Sequence, residues 1–170
     1  MVQIKDIPTS LAWTFTHLLP GTFTRNKQQF AHLVYPILGP LPTTKSKTPP
    51  TESHHGVGPF VYFVIDSSSR LCYIGKSLEA CVLKRWIRPG NGGPSTHYWT
   101  HSIKGGGSVF NIAEGLLRGD GPFSLRVTTL DVLRAKLGAA LGVDTATSAE
   151  DALKLFESHL IREMRPVWNH

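Results

Sequence analysis

The stretch GPFVYFVIDSSSRLCYIGKS, residues 58–77, contains two runs rich in β-branched and aromatic residues. The runs cover residues 60–66 and 71–76, and the polar tetrapeptide SSSR separates them. A connection of this length between two such runs is typical of an antiparallel hairpin. The stretch therefore predicts two neighbouring strands of a sheet, and the rest of the chain is interpreted around them.

The register of this hairpin decides which side chains share a face. If residue 66 lies opposite residue 71, residue 62 lies opposite residue 75 and residue 64 opposite residue 73. Tyr62 and Tyr73 then share one face on a diagonal, where they carry two hydroxyl groups. The other face is expected to lie in the core because it is continuously apolar, with Val61, Phe63, Ile65, Cys72 and Ile74.

The composition predicts one domain and an anionic partner. The chain has 170 residues, of which 41% are hydrophobic, so it is long enough for one core and short for two. Its 18 Lys and Arg exceed its 12 Asp and Glu, which gives a formal net charge of +6 and a pI near 9.6. Such an excess of positive charge favours nucleic acid or a membrane surface as the partner.

The sequence does not predict a membrane span, a secretory signal or a zinc site. It contains no apolar run of about 18 residues, and the first ten residues lack an apolar stretch after a basic start. We therefore expect a cytoplasmic protein without a membrane partner. The two cysteines, Cys72 and Cys81, lack the paired spacing of a structural zinc site, and we interpret both as core thiols.

A segment without apolar periodicity divides the chain in two. Residues 41–58, LPTTKSKTPPTESHHGVG, are typical of a linker or an extended arm. Ahead of it, apolar residues predict two short amphipathic helices that Pro20 and Gly21 separate. These residues are Leu11, Phe15, Leu18, Leu19, Phe30, Leu33, Val34, Ile37 and Leu38. We expect residues 1–57 to form a helical extension and arm used for dimerisation or DNA contact, and residues 58–170 to form the main domain.

Beyond the hairpin, the pattern predicts a helix and then an insertion. Residues 78–87 have the apolar spacing of a short helix that Pro89 brings to an end. Residues 88–122 are rich in Gly and polar groups, with one short helix expected near residues 110–117.

The last third of the chain has clearer patterns. Residues 123–130 predict a third strand, and residues 131–141 a helix with an Asp at its start and a Gly after its end. Two overlapping capping boxes, beginning at Thr147 and Ser148, predict a last helix that runs to about Met164. The fold class expected is α/β (α+β), a small central antiparallel sheet of about three strands flanked by helices.

Glu157 lies on the apolar stripe of this last helix. Its neighbours at helical spacing are all apolar, namely Leu153, Leu160, Ile161 and Met164. An unpaired carboxylate in such a position would be strongly destabilising or would become protonated, so a cation or a set of donors must meet it. A structural ion pair with an arginine and a functional site both satisfy this requirement.

The titratable residues of the hairpin and the last helix suit hydrolysis of a phosphodiester. That reaction needs a base for the attacking water, positive charge on the phosphate oxygens and a group that neutralises the leaving oxygen. A tyrosine pair, Lys76, a nearby arginine and a carboxylate that holds Mg²⁺ can supply all three. Each residue alone also has a structural interpretation, since buried tyrosines are often core and single cations are often solvated.

The order of these motifs resembles the GIY-YIG nuclease family. GPFVYFV at 58–64 is similar to its first motif and CYIGKS at 72–77 to its second, and the two tyrosines are 11 residues apart, as is usual in that family. VLKRW at 82–86 resembles the following helix with its arginine. FESHLIREMRPVWN at 156–169 resembles the closing helix with its Glu, Pro and Asn. The resemblance covers about residues 58–169, with an insertion in the middle.

The resemblance implies catalytic roles for three residues of the hairpin. Tyr62 matches the tyrosine of the first motif, which acts as general base on the attacking water in restriction enzymes of the family. Tyr73 matches the tyrosine of the second motif and would donate a hydrogen bond to the scissile phosphate or the water. Lys76 matches the lysine that lowers the pKa of the first tyrosine or holds the water.

The resemblance assigns further roles after the hairpin. Arg85 matches the arginine that stabilises charge on the phosphate, although it lies further from Tyr73 than is usual, and Arg88 is the competing candidate. Glu157 matches the carboxylate that holds a single Mg²⁺, for which Mn²⁺ can substitute. Asn169 matches the asparagine that closes the site.

Two positions depart from the family pattern. Phe60 stands where the first motif usually has glycine, with Gly58 two residues before it. Pro89 stands where many relatives have a histidine one helical turn beyond the arginine. His97 or His101 is the candidate to replace that histidine.

The resemblance and the chain length favour a Type II restriction endonuclease as the specific function. The chain has no room for a separate DNA-binding domain, and one active site cuts one strand, so a homodimer acting on a short palindromic site of double-stranded DNA is expected. Candidate DNA contacts are Lys84, Arg88, His97, His101, Lys104, Arg118 and Arg126. The alternatives are a repair or nicking nuclease of the same fold and a catalytically silent nucleic-acid-binding module.

Overall fold

The structure, a computed structural model, describes residues 3–15, 17–25, 28–34, 58–79, 88–89, 97–98, 111–112, 115–116 and 118–169. Within these residues, a 3-10 turn at Ile4–Asp6 precedes eight strands. The strands are β1 (Ser10–Phe15), β2 (His17–Arg25), β3 (Gln28–Val34), β4 (Phe60–Ile65), β5 (Leu71–Ser77), β6 (Arg88–Pro89), β7 (His97–Tyr98) and β8 (Phe123–Thr129). The helical segments are α1 (Leu130–Leu133), a π-helical turn (Arg134–Gly138), α2 (Ala139–Leu141) and α3 (Ala149–Met164).

The main sheet has four antiparallel strands in the order β1-β8-β4-β5. β2 pairs with β3 and β6 with β7 in two smaller sheets. The first five residues of β4 are fully buried, because β8 and β5 flank this central strand and a hydrophobic cluster covers each of its faces. The expected mixed class of helices around an antiparallel sheet is confirmed, and the main sheet has one strand more than expected.

The register predicted for the hairpin is confirmed away from the turn, but the predicted pairing of residue 66 with residue 71 is wrong, because Leu71 pairs with Ile65. Tyr62 lies opposite Gly75 and Val64 opposite Tyr73. The register then shifts, since Val64 pairs with Tyr73 but Ile65 pairs with Leu71.

This shift corrects the predicted placement of Cys72. The bulge leaves Cys72 without a partner on β4, and its side chain packs with Tyr62 and Val64 rather than with Val61 and Phe63. A single extra residue in one strand changes which face the following side chains occupy.

Each face of the sheet buries its own cluster. We call the first the tyrosine face; it contains residues of four strands together with Ile112, namely Ala12, Phe15, Phe60, Tyr62, Val64, Cys72, Phe123, Leu125 and Val127. We call the second the helix face, where α1 and α3 pack on β4 and β5. Its buried residues include Val61, Phe63, Ile74, Leu130, Leu133, Leu153, Phe156 and Leu160.

The prediction of two helices in the N-terminal extension is wrong. The chain forms β1, β2 and β3 there, and β1 pairs with β8 in the main sheet. Phe15 and Ala12 are buried in the tyrosine face, whereas Leu11 is 42% exposed. β1 forms backbone hydrogen bonds along the edge of β8. This long-range pairing stabilises a strand more than the weak helical pattern of a short apolar run stabilises a helix. Ile37 and Leu38 lie outside the described residues.

The predicted third strand and the two helices that follow it are confirmed. The helical stretch after β8 begins one residue earlier than predicted, with Thr129 as its cap, and ends at Gly142 in the left-handed conformation with φ 65°. α3 is capped by Ser148, whose hydroxyl oxygen accepts a hydrogen bond from the Asp151 N–H at 3.1 Å. Of the two predicted cap positions, Ser148 is therefore the one used, and its hydroxyl also donates to Asp151 Oδ2 at 2.6 Å.

Several expected elements fall largely outside the described residues. They are the helix over 78–87 and most of the insertion over 88–122, including part of its short helix near 110–117. Residues 111–112 and 115–116 are helical. None of the described helices is both long and apolar enough to span a bilayer.

The packing of α3 predicts contrasting effects for two adjacent substitutions. Phe156 is fully buried on the helix face, whereas Leu155 is 48% exposed. Phe156→Ala should lower the free energy of unfolding by about 3–5 kcal/mol, since it opens a cavity between α3 and the sheet. Leu155→Ala should change it by only about 0.5 kcal/mol. Urea unfolding followed by circular dichroism measures both, and equal losses would contradict this orientation of the helix.

Candidate active site

The two tyrosines of the hairpin lie close together on the tyrosine face. Their ring centroids are 6.1 Å apart, with the rings tilted by 35°. Tyr62 is 2% exposed, and Tyr73 is half-buried. Gly75 lies opposite Tyr62, and a Cβ atom at this position would overlap the end of the Tyr62 ring and its hydroxyl oxygen. Glycine is therefore required here because the phenol lies directly on the backbone of β5.

The carboxylate expected on the buried stripe of the last helix is paired with the lysine of the hairpin. Lys76 Nζ donates a hydrogen bond to Glu157 Oε2, and the two residues are 81 positions apart in the chain. The side chains are 34% and 17% exposed, respectively. The partly buried carboxylate thus meets a cation, as the sequence requires, and the cation is a lysine rather than an arginine.

Asn169 binds the edge of β5 with both ends of its amide. Its Oδ1 accepts a hydrogen bond from the Ile74 N–H, and its Nδ2 donates one to the Ile74 carbonyl, both at 2.8 Å. The Trp168 N–H donates to the Cys72 carbonyl at 2.8 Å. The C-terminal segment thereby acts as a short additional partner for β5 and fixes the strand that carries Tyr73 and Lys76.

The tyrosines and the ion pair lie on opposite faces of the sheet. Lys76 is opposite Val61 and shares the helix face with Glu157, whereas Tyr62 and Tyr73 pack on the tyrosine face. β5 is an edge strand of the main sheet. The sheet therefore separates the two pairs, and one ligand could contact both of them only around the edge formed by β5.

Most of the predicted basic contacts fall outside the described side chains. Lys84, Arg85, His101 and Lys104 lie outside the described residues, and Cys81 lies there as well. Arg88 and His97 are described only in their backbone, in the short antiparallel pair of β6 and β7, where Pro89 pairs with His97. The choices between Arg85 and Arg88, and between His97 and His101, stay predictions.

The two remaining basic candidates each have an acceptor within the protein. Arg118 is exposed and donates to Asp120 Oδ2 at 3.1 Å. Arg126 donates from Nε to Thr9 Oγ1 at 2.8 Å and from Nη2 to the Thr9 carbonyl at 3.2 Å. Arg126 also lines an open cleft of about 690 Å³ together with Lys5 of the N-terminal turn. No sequence signal could have found the contact with Thr9, since it joins positions 117 residues apart.

Cys72 is a core thiol, as expected. It is fully buried, and burial raises the pKa of its thiol to about 11, with a further contribution from the negative charge of Asp66. The thiolate is therefore almost absent at neutral pH, which makes Cys72 unsuitable as a nucleophile or metal ligand.

The described residues offer one carboxylate to a metal ion at this site. They contain no group of three or more His, Cys, Asp or Glu side chains that could hold a metal. Mg²⁺ commonly keeps several waters and binds proteins through one or two carboxylates together with substrate phosphates. Glu157 fits that mode, because Lys76 engages only Oε2 of its carboxylate.

No protein-family model matches the chain, and neither the curated proteins nor the solved structures include a significant match. The function is therefore inferred from the residues and their geometry.

The packing of Tyr62 on Gly75 predicts a strong effect of a single added methyl group. Gly75→Ala should lower the free energy of unfolding by about 1–3 kcal/mol, because the new Cβ overlaps the phenol. Tyr62→Leu shortens the side chain, so the added methyl should cost less in that background. A double-mutant cycle by urea unfolding measures this coupling, and strict additivity would show that the two residues do not touch.

The double contact of Asn169 predicts sensitivity to removal of its amide. Asn169→Ala should lower the free energy of unfolding by about 1–3 kcal/mol, since two backbone groups of Ile74 lose their partners. Asn169→Asp should also destabilise at neutral pH, because a carboxylate cannot donate to the Ile74 carbonyl. Val167→Ala, at a position 39% exposed, serves as the control. Thermal unfolding measures all three, and an unchanged Tm for Asn169→Ala would contradict this role.

Proposed function

We propose that the chain is a Mg²⁺-dependent DNA endonuclease of the restriction type. The observation that supports this most directly is the contact between Lys76 and Glu157. It brings the acid of the last helix next to a strand that also carries Tyr73, with Tyr62 on the neighbouring strand. Three of the four stretches that resemble GIY-YIG motifs, at 58–64, 72–77 and 156–169, thus belong to neighbouring elements, although 81 residues separate Lys76 from Glu157.

The substrate phosphate is proposed to bind at the end of the β5 edge, near Gly75 and Lys76. Of the two edges of the main sheet, formed by β1 and β5, the β5 edge is the one that carries Tyr73 and Lys76. Gly75 is buried beneath the Tyr62 phenol, so the group that this end of the strand offers to a phosphate is the partly exposed side chain of Lys76. Asn169 already covers the edge at Ile74, so the open part lies beyond it.

Each residue then has a role in an in-line displacement at phosphorus. Tyr62, as phenolate, takes a proton from the attacking water while the water oxygen bonds to phosphorus and the bond to the leaving oxygen breaks. Tyr73 donates a hydrogen bond to a phosphate oxygen, and Arg85 or Arg88 stabilises the developing charge. Glu157 would hold Mg²⁺, which when bound supplies the positive charge that neutralises the leaving oxygen.

A homodimer is part of the proposal. One such site cuts one strand, so double-strand cleavage at a palindrome needs two copies related by two-fold symmetry. The net charge of +6 favours association with double-stranded DNA in the cytoplasm, with Arg118 and Lys104 among the candidate phosphate contacts.

A catalytically silent nucleic-acid-binding module is the second candidate. The ion pair of Lys76 and Glu157 and the burial of Tyr62 favour it, because both groups already have partners in the protein. The two functions differ in what the protein does to DNA once Mg²⁺ is present.

Substitution of the metal-binding carboxylate tests the proposed nuclease. Supercoiled plasmid is incubated with the protein and Mg²⁺, and wild type should give discrete fragments that disappear with EDTA. Glu157→Gln should lower the cleavage rate by about 100-fold or more, by analogy with the loss of one group that stabilises the transition state. Glu163→Gln is the matched control, since Glu163 is on the same helix and its one ion pair among the described residues is with the neighbouring Arg162.

The products also discriminate between the candidates. Discrete fragments support a sequence-specific endonuclease, and nicked circles support a repair or nicking enzyme of the same fold. Retarded but uncut DNA with every divalent ion would contradict the nuclease and support the binding module. Circular dichroism checks that Glu157→Gln remains folded.

A further inference from the structure

We propose that Lys76 and the divalent cation compete for Glu157, so that binding of the cation releases the Lys76 ammonium group. This inference rests on the proposed function, because it concerns the same carboxylate. It adds that Lys76 is bound to Glu157 in the metal-free protein and leaves Glu157 when the cation binds.

The structure shows how the charge of Glu157 is balanced in the free protein. Leu153, Phe156 and Leu160 of the same helix are buried in the helix face, and the Glu157 side chain is 17% exposed. Lys76 is its one ionic partner among the described residues. A negative charge at this partly buried position is stabilised by a counter-charge, and Lys76 supplies it.

A divalent cation that binds the other carboxylate oxygen of Glu157, Oε1, would lie close to the charge of Lys76. The ammonium group is in direct contact with Oε2, so a metal ion on the same carboxylate would lie within a few ångströms of a like charge. Water screens such repulsion weakly at a partly buried position. Mg²⁺ also requires close, regular coordination by oxygen and tolerates little displacement. Loading of the carboxylate therefore favours departure of Lys76.

Once released, the Lys76 ammonium group can reach the proposed phosphate site. Lys76 is the second-last residue of β5, it is 34% exposed, and its long stem is flexible. Its ammonium group can swing towards solvent at the open edge, where the phosphate is proposed to bind. The cation and the lysine would then both face the substrate, whereas in the free protein the lysine and the carboxylate neutralise each other.

The affinity for Mn²⁺ tests this competition without any measurement of cleavage. Mn²⁺ binding to the full chain is followed by electron paramagnetic resonance, which detects the free ion. Lys76→Met removes the charge and keeps an unbranched apolar stem, so it should bind Mn²⁺ about tenfold more tightly than wild type, within the range usual for coupling between two sites. Lys154→Met, at an exposed position of α3, should leave the affinity unchanged. Glu157→Gln should abolish this binding.

Amine labelling of the wild-type protein provides a second measurement, in case Lys76→Met is poorly folded. Acetylation of Lys76, quantified by peptide mass spectrometry, should become faster when Mn²⁺ is added, while acetylation of Lys154 stays constant. Equal Mn²⁺ affinities for wild type and Lys76→Met, or labelling of Lys76 that does not change with Mn²⁺, would overturn the competition.

Plasmid cleavage in parallel separates the two proposals. If wild type binds Mn²⁺ and cuts DNA but Lys76→Met shows no gain in affinity, only the competition fails. If wild type neither binds the ion nor cuts, the proposed nuclease fails as well.

Discussion

The need to balance one partly buried carboxylate shapes the candidate site. Glu157 points from α3 towards the sheet, where a charge without a partner would be strongly unfavourable. Lys76 meets it from the edge strand, so the ion pair joins the last helix to the hairpin. An ion pair at such a position contributes little net stability compared with apolar packing, so its main structural effect is to balance the charge of Glu157.

The sheet behind this pair depends on a strand buried on both faces. β4 alternates its side chains between the tyrosine face and the helix face, and each face is closed by a separate cluster. Tyr62 can occupy the first cluster only because Gly75 leaves room for its ring. Glycine is thus required at position 75 of β5 because Tyr62 of β4 packs against it. Packing alone therefore explains the glycine of the YIG-like motif.

The local parts of the fold were predictable from the sequence, whereas the long-range parts were not. The hairpin register followed from alternation and from a short connection, and α3 followed from a cap and a regular apolar stripe. β1 was mistaken for a helix because short apolar runs fit both periods, and its partner β8 is about a hundred residues away in the chain. The bulge at Cys72 changes one face assignment, and alternation alone cannot reveal a bulge.

One contact of the candidate site was predictable in kind but not in its partner. Periodicity placed Glu157 on the inner stripe of its helix and required a cation there, and chemistry alone could not choose between lysine and arginine. The alternation of β5 does fix one point, since Tyr73 and Lys76 are three residues apart and so must lie on opposite faces. A site that uses both can form only where the sheet ends.

The C-terminal segment stabilises part of the edge strand β5. An edge strand exposes unpaired backbone groups and is free to shift or to pair with another chain. Asn169 and Trp168 bind β5 at Ile74 and Cys72, which fixes the strand up to the residue before Gly75 and leaves the remainder open. Asn169, which the family resemblance places at the closing position, therefore marks where the open part of the edge begins. It does so by binding the backbone of Ile74 and not by contacting a substrate. A rigid strand next to an open edge is what a site requires if the phosphate must meet groups from both faces at fixed distances.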